Sequence, residues 1–293
     1  MSGMDPSVAD LDRMEAALGW RPAWWRHRGG DRGGSGTAAR WVVGGEGSSA
    51  FVKLGATPLT AAWFRREHET YRSLRAPFLP RLLGFSDDGS IPTLALEDLS
   101  GADWPPPWTD ERVSQVLDAL RLVHATRPPR HIERIPTLDG TGWPVVRRSP
   151  EAFLALGLCS RDWLAAALDA LETAADRAPI TGSALLHLDV RSDNLCFRNG
   201  SAVLVDWVAA VVGNPDLDIA FWLPSLHAEG GPPPEAILPD VPELAAWVAG
   251  FFCSRAGDPP IPDAPHVRPL QLAQSRTALP WAARALGLPQ PSA

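Results

Sequence analysis

Long apolar runs and closely spaced cysteines are missing from this sequence of 293 residues, and its first residues do not show the pattern of a secretory leader. No apolar stretch approaches the roughly 20 residues of a membrane-spanning helix, so we expect no membrane segment. The first residues carry neither a basic nor an apolar region, which favours a cytoplasmic protein without a secretory signal. The cysteines Cys159, Cys196 and Cys253 show no metal-binding spacing, so we expect reduced thiols.

Lysine is almost absent as well, because Lys53 is the single lysine among 27 lysine and arginine residues. Either it survives by chance, or it marks a position where a compact ammonium works and a planar guanidinium does not. The surrounding segment Ala50–Leu54 has the pattern of a buried strand, and lysine is rarely buried without a partner. The second interpretation is therefore favoured.

Basic residues are outnumbered by acidic ones, which gives a net charge of −7. An acidic protein repels phosphate backbones, so this charge argues against nucleic-acid binding. The chain contains no internal repeats, and 45% of its residues are hydrophobic. A chain of this size and composition can bury a substantial core in two lobes.

The segment after the lysine strand predicts a helix that supplies a partner for Lys53. Thr57-Pro58 is typical of a helix start. An apolar stripe follows at helical spacing, formed by Leu59, Trp63, Tyr71 and Leu74. Glu67 falls in the middle of this stripe, where a carboxylate needs a buried cation or hydrogen bonds. We predict an ion pair with Lys53; the alternative is that Glu67 lies at the edge of the stripe and reaches solvent.

The segment 185–207 contains a predicted β-hairpin. Asn199-Gly200 is the strongest two-residue hairpin signal, and it separates two short apolar-rich runs, Leu195–Arg198 and Ser201–Val205. If Arg198 faces Ser201, the ladder also pairs Cys196 with Val203 and Asn194 with Val205. The two strands then end at one open side of the hairpin.

Three polar residues lie around that open end. Asn194 and Asp206 emerge diagonally, about 5–8 Å apart at Cβ, and an amide oxygen and a carboxylate at this separation suit a hard cation that also takes nucleotide phosphates. Asp189, in the preceding loop, lies close enough in sequence to meet a substrate hydroxyl. The alternative is ordinary turn chemistry, since Asp and Asn are common beside hairpins.

Lys53, Glu67, the spacing His187-x-Asp189-x4-Asn194 and the strand-terminal Asp206 together resemble the aminoglycoside phosphotransferase family, within the protein-kinase-like superfamily. The resemblance implies an α+β, bilobal fold, with a small five-stranded antiparallel N-terminal lobe containing one key helix and a larger, mainly helical C-terminal lobe. We place the nucleotide-binding lobe in residues 1–98, with a leading helix over 1–20, and the catalytic and acceptor-binding lobe in residues 99–293.

The resemblance also implies a phosphoryl donor, ATP or GTP, a Mg²⁺ cofactor and a small-molecule hydroxyl as acceptor, in a monomer or homodimer. Lys53, oriented by Glu67, would bind the α/β-phosphates. Asn194 and Asp206 would hold Mg²⁺. Asp189 would accept the proton of the acceptor hydroxyl or orient it.

Other residues of the motif receive supporting roles. His187, between apolar neighbours, is expected to brace the loop, and Asp218 is expected to brace it from a helix start. Arg191 either neutralises charge near the γ-phosphate or is a solvated loop arginine. Leu188 stands where the family commonly has glycine, so the loop is less glycine-dependent here. Asp206 is followed by Trp207 with no glycine directly after, so we expect no flipping loop of the kind found in regulated protein kinases.

Further nucleotide contacts are expected from a glycine-rich segment and a hinge. Residues 29–37 either cover the phosphates, with Ser35 and Thr37 as contacts, or form a flexible linker. Glu97-Asp98-Leu99 is the expected hinge, and the backbone of Glu97 and Leu99 would meet the purine. Asp98 is expected to cap the turn into Ser100.

The acceptor is expected to bind in the C-terminal third, with Asp216, Trp222 and Glu229 as candidate contacts. Acidic groups would suit a cationic acceptor, but acids in loops are commonly just solvated. Tryptophan can stack on a ring, but at helical spacing it is more often part of a core.

These features predict an O-phosphotransferase acting on a small molecule, with an antibiotic as the favoured acceptor in resistance or self-resistance. The alternative enzyme is a housekeeping kinase for choline, homoserine or a sugar. A nucleotide-binding pseudokinase scaffold is the alternative outside enzymes. It predicts the loss of at least one of four residues, and all four are present: Lys53, Asp189, Asn194 and Asp206.

Overall fold

The computed structural model describes residues 5–28, 39–45, 47–136, 141–262 and 264–292. These residues form two compact units. The first combines the chain up to Trp104 with Asp193–Ala209 and a short segment near residue 262. The second contains Pro105–Ser192, Ala210–Ile261 and the chain from Pro265 onward. The functional boundary after residue 98 stays a prediction.

The helices and strands are numbered in chain order. The N-terminal elements are α1 (Val8–Leu18), β1 (Trp24–His27), β2 (Ala39–Gly45), β3 (Ser48–Leu54), α2 (Pro58–Ser73), β4 (Leu82–Ser86) and β5 (Thr93–Glu97). The remaining elements are α3 (Asp110–Ala125), α4 (Trp143–Arg148), α5 (Pro150–Leu154), α6 (Arg161–Ala175), β6 (Ala184–Leu186), β7 (Leu195–Arg198), β8 (Ser201–Leu204), a 3-10 turn (Trp207–Ala209), β9 (Val211–Gly213), α7 (Pro215–Ala228), α8 (Pro234–Ile237), α9 (Pro242–Ala256) and α10 (Val267–Ala285).

The first unit is built on an antiparallel sheet with the strand order β1-β2-β3-β5-β4, as the resemblance implied. Strand β3, which carries Lys53, is central and pairs with β2 and β5. Helix α1 begins with a capping box between Ser7 and Asp10 and ends at Gly19, whose φ of 78° is the left-handed conformation that glycine favours. It buries Met14 and Ala17 in the core of the sheet.

The predicted hairpin forms in the predicted register. Arg198 faces Ser201 and Cys196 faces Val203, across a turn in which Asn199 and Gly200 have φ of 51° and 76°. Positive φ at both central residues is the geometry of the tight turn that matches strand twist. The ladder continues by one bond, from the N–H of Val205 to the carbonyl of Asn194 at 2.9 Å.

Three contacts make this hairpin part of the first unit. Asp103 and Phe197 exchange backbone hydrogen bonds at 3.1 and 2.7 Å. The N–H of Leu204 donates to the carbonyl of Phe78 at 2.8 Å, and the Phe78 ring lies 5.6 Å from that of Trp207. Residues distant in sequence therefore complete the unit that holds the lysine strand.

The second unit is mainly helical and also contains a two-stranded sheet formed by β6 and β9. Thr109 and Ser160 cap α3 and α6. The proline-rich connection between α7 and α9 contains the single turn α8, which begins at Pro234 because proline is tolerated at the first helical position. Among the described helices, none combines the length and apolar character needed to cross a membrane.

All three cysteines are free and buried, in agreement with the expected reduced thiols. Burial raises the pKa of Cys196 to about 12. The thiol therefore stays protonated and unreactive at neutral pH.

Candidate functional site

Lys53 lies on the central strand β3, where it is only 2% exposed. Its ammonium donates to Oε1 and Oε2 of Glu67 at 2.8 and 3.0 Å, which confirms the predicted ion pair. Glu67 is fully buried, so the solvent-reaching alternative is wrong. Burial raises the pKa of the Glu67 carboxyl, and the Lys53 ammonium opposes that rise.

The predicted stripe on α2 has to be corrected in phase. Leu59, placed at its start, is 40% exposed. The buried positions of this helix are Thr60, Ala61, Phe64, Glu67, Thr70 and Tyr71. The buried face is therefore shifted from the predicted one toward Thr60, Ala61 and Phe64, and buried threonines take positions where an apolar residue was expected. Glu67 stays at its centre.

Asp206 is the second carboxylate on Lys53, with its Oδ1 2.5 Å from Nζ. Its φ of 64° is uncommon outside glycine. Such strain persists only where surrounding contacts hold the residue in place, and Lys53 supplies one of them. The Asp206 side chain remains 28% exposed, so a ligand can reach it.

Asn194 lies at the same open end of the hairpin, since its carbonyl accepts from Val205, the neighbour of Asp206. Its side chain is almost entirely buried. An amide oxygen and a carboxylate are the donor types that Mg²⁺ accepts together with phosphates and water. The residues therefore fit the metal that the resemblance implies.

Arg40 is a charged neighbour of this cluster that the sequence analysis missed. It faces Lys53 across β2 and β3, and its Nη2 lies 4.0 Å from Oδ2 of Asp206. Counting outward from the middle of the glycine-rich turn at residues 44–49 pairs these two positions, so the sequence does contain the signal.

Tyr71 lies beside the same carboxylates. Burial raises the pKa of its hydroxyl well above 10, and the negative charges of Glu67 and Asp206 raise it further. The residue therefore remains neutral and adds no charge to the cluster.

The expected hinge has its side chains engaged within the first unit. Glu97 accepts hydrogen bonds from the Arg198 side chain and from the N–H of Arg81. Burial alone would raise the pKa of Glu97, but these contacts hold it below the usual value. Its side chain thus ties the sheet to the hairpin, while the proposed backbone contact with a purine stays a prediction.

The other two hinge residues, Asp98 and Leu99, also make hydrogen bonds. Asp98 caps the turn by accepting from the N–H and hydroxyl of Ser100 at 2.9 and 2.5 Å, as expected. The carbonyl of Leu99 accepts from the Trp104 indole at 3.1 Å. Ser35 and Thr37 lie outside the described residues.

In the second unit, Asp218 organises the loop that follows β6. Its Oδ2 accepts from the N–H of His187 at 2.9 Å, and its Oδ1 accepts from that of Leu188 at 2.7 Å. His124 lies 3.1 Å from Oδ2. Asp218 is fully buried in the first turn of α7, where the helix dipole favours a carboxylate. The predicted bracing is confirmed, and His124 is an additional member.

Leu188 has a φ of 60°. It therefore adopts, without being glycine, the conformation that explains why glycine is common there in the family. The left-handed region costs roughly 1–2 kcal/mol for an ordinary residue. The hydrogen bond to Asp218 offsets this cost, and the next N–H, that of Asp189, donates to Nδ1 of His187 at 3.3 Å.

Asp189 follows this strained residue with a side chain that is 40% exposed. The Nε of Arg191 lies 3.3 Å from its Oδ1. Arg191 itself is only 11% exposed, so the solvated-arginine alternative is wrong. The roles of both residues in catalysis stay predictions.

The structure places the three acceptor candidates in different surroundings. Asp216 is exposed at the start of α7. Trp222 is fully buried, which favours the core alternative over ring stacking. Glu229 accepts from the Ser192 hydroxyl at 2.5 Å and from the Trp108 indole at 2.9 Å, so each of its oxygens has a protein donor.

Comparisons with known proteins agree with this architecture. The model of the phosphotransferase enzyme family matches residues 31–251, whereas no curated protein matches. A thermostable mutant of aminoglycoside phosphotransferase APH(4)-Ia, in a ternary complex with ADP and hygromycin B, has a TM-score of 0.61 and 14% identity, over 96% of this chain and 98% of that chain.

Two other solved structures of similar fold are named as kinases of other small molecules. A putative fructosamine-3-kinase from Haemophilus somnus has a TM-score of 0.52 and 12% identity, over 94% of this chain and 96% of that chain. Choline kinase LicA from Streptococcus pneumoniae has a TM-score of 0.50 and 12% identity, over 85% of this chain and 89% of that chain. At these identities the likeness shows the fold alone, and it confirms the predicted kinase-like α+β class.

The Lys53–Glu67 pair predicts strong coupling between two substitutions. Lys53→Met should lower the free energy of unfolding by about 3–5 kcal/mol, because it leaves the buried Glu67 carboxylate without its cation. Glu67→Gln should cost less, because Asp206 still compensates the Lys53 ammonium. The double variant should lose clearly less than the sum, as measured by urea unfolding. The exposed pair Arg72–Glu69 on the same helix is the matched control, with changes of about 0–1 kcal/mol. Additive losses at Lys53 and Glu67 would contradict a shared interaction.

The hydrogen bonds that Asp218 accepts from His187 and Leu188 predict that its substitution lowers stability more than substitution of Asp216. Asp218→Asn should destabilise the protein by about 2–3 kcal/mol, because an amide cannot accept on both sides as the carboxylate does. Asp216→Asn, at an exposed position two residues earlier on the same helix, should change stability by less than about 0.5 kcal/mol. Equal unfolding midpoints for the two variants would show that the hydrogen bonds of Asp218 do not contribute to stability.

Proposed function

We propose, since this chain belongs to the phosphotransferase enzyme family, that it transfers a phosphoryl group from ATP or GTP to a hydroxyl of a small molecule. The observation that carries the proposal is the buried cluster in which Lys53 contacts both Glu67 and Asp206. A buried ammonium held by two carboxylates is suited to polyanionic ligands, because phosphoryl transfer depends on positioning and charge neutralisation.

Lys53 would bind the α/β-phosphates, and Glu67 would keep its ammonium oriented. Glu67 is fully buried and therefore cannot itself serve the ligand. A shorter or longer cation at position 53 would lose this geometry, which accounts for the retention of the single lysine.

Asn194 and Asp206 would hold Mg²⁺. Among the described residues, no group of three or more His, Cys, Asp or Glu side chains is arranged to hold a metal ion. Two protein ligands completed by phosphates and water are what Mg²⁺ uses, whereas metals that need a full protein cage are disfavoured. When bound, the ion would supply neutralising charge to the phosphates.

Asp189 would accept the proton of the acceptor hydroxyl or orient that hydroxyl for attack. Its backbone is fixed through His187 and its side chain is paired with Arg191. Arg191 is buried enough to be preorganised, and it would add positive charge where the transferred group carries its negative charge.

An antibiotic is the proposed acceptor, in resistance or self-resistance and in the cytoplasm. Support comes from folds of the same kind that are described in complex with hygromycin B and with spectinomycin. The similar folds of a choline kinase and a putative fructosamine kinase make a metabolite kinase the second candidate. A pseudokinase scaffold is disfavoured, because the charged cluster and Asp189 are intact.

The acceptor class is tested by incubating the protein with Mg²⁺ and ATP or GTP against a panel of hydroxyl-bearing antibiotics and metabolites, including choline and homoserine. Mass spectrometry should show the gain of one phosphoryl group on an antibiotic. Modification of a metabolite alone would replace the antibiotic proposal with the second candidate, and nucleotide binding without transfer to any acceptor would favour the scaffold.

Asp189→Ala should then lower turnover of that acceptor by roughly 10²–10⁴-fold, the range for loss of a positioned acid or base, while nucleotide affinity stays unchanged. Steady-state kinetics and titration calorimetry measure the two effects. Asp176→Ala, at an exposed position after α6, is the control and should keep full turnover. Substantial residual turnover of Asp189→Ala would remove this carboxylate from the chemistry.

A further inference from the structure

Arg40 occupies a position that the family motif does not describe. It lies directly opposite Lys53 in the ladder between β2 and β3. Directly opposite residues of an antiparallel pair project from the same face of the sheet. Two cations therefore stand side by side, one 3% and the other 14% exposed at the side chain.

The two cations divide the Asp206 carboxylate between them. Lys53 lies 2.5 Å from Oδ1, whereas Nη2 of Arg40 lies 4.0 Å from Oδ2. The first contact is a close hydrogen bond and the second is only a loose ion pair. Arg40 therefore loses only a weak ion pair if Asp206 binds another ligand.

The guanidinium of Arg40 also has unused donor capacity. Its Nε is buried and finds no hydrogen-bond acceptor within the part of the chain that the structure describes. A buried donor left unsatisfied costs stability. The folded chain, as far as it is described, leaves this Nε donor unsatisfied, whereas an incoming anion would satisfy it.

The charges in the cluster point to the same kind of ligand. Lys53 and Arg40 are balanced by Glu67 and Asp206. If Asp206 serves a metal ion, as in the proposed function, one carboxylate is no longer available to the two cations. Phosphate oxygens restore the balance, and a planar guanidinium can donate to two of them at once.

We propose that Arg40 is a second phosphate-binding residue, which exchanges its loose contact with Asp206 for phosphate oxygens of the nucleoside triphosphate. This inference rests on the proposed function and deepens it. Lys53 supplies a point charge, and Arg40 supplies directed donors from the neighbouring strand.

The test is a nucleotide-binding series on the full chain, by titration calorimetry with Mg²⁺, using ATP, ADP and adenosine as probes. Arg40→Gln should weaken ATP binding by about tenfold to a hundredfold, the value of one charge-assisted contact, and should weaken ADP binding measurably. Adenosine binding should not change, because it carries no phosphate. Arg26→Gln, at an exposed position on β1 of the same sheet, removes the same charge and should leave all three affinities unchanged.

Several outcomes would overturn the inference. Unchanged ATP affinity in Arg40→Gln, or an equal loss for ATP and adenosine, would show that Arg40 only supports the site. An ATP loss of the same size in Arg26→Gln would reduce the effect to general charge. If the wild-type protein binds neither ATP nor GTP in the same titration, the proposed function fails along with the inference.

If Arg40→Gln does not fold, Arg40→Lys provides the measurement. It keeps the charge but loses the fork of donors, so ATP binding should weaken by a smaller factor than in Arg40→Gln while adenosine binding is unchanged. ATP affinity equal to wild type in Arg40→Lys would overturn a role that depends on the guanidinium.

Discussion

The charge of one buried ammonium organises the first unit. Removing Lys53 from water is costly unless opposite charges accompany it. Glu67 approaches from a helix and Asp206 from the end of a hairpin that lies far along the chain. The same cation compensates the charge of both carboxylates. The positions of α2, the end of β8 and the central strand are therefore fixed relative to one another.

In each unit, a residue with a strained backbone lies in the loop that carries a proposed site residue. Asp206 and Leu188 both have positive φ without being glycine. Each is held by a different charged contact, with Lys53 in one case and Asp218 in the other. Strain of this kind is retained where an exact side-chain direction is useful. In both cases a buried charged contact holds the backbone of a residue with positive φ.

Much of this arrangement follows from local patterns in the sequence. The register of the hairpin is encoded by Asn199-Gly200, and the start of α2 by Thr57-Pro58. The partner of Lys53 follows from the helical position of Glu67. These inferences need only short-range rules, since turn chemistry and helical periodicity act over a few residues.

Contacts that join distant segments were the ones not predicted. Arg40 was overlooked because a glycine-rich turn leaves neighbouring registers open, and a slip of one residue turns every side chain to the other face. The contact of His124 with Asp218, and the capture of Glu229 by Ser192 and Trp108, join elements whose packing no local pattern specifies. The phase of the α2 stripe was displaced because buried threonines carry no apolar signal.

The hairpin's membership in the first unit has a consequence for biosynthesis. A ribosome makes the chain from its N-terminus, and domains commonly fold as their segments emerge. Here the lysine strand emerges early, but its second carboxylate arrives only with Asp206, after most of the chain has been translated. Until Asp206 has been synthesised, the charge of Lys53 in the nascent N-terminal sheet is therefore incompletely compensated. The unit acquires its full charge balance only when the segment that carries Asp206 packs against it.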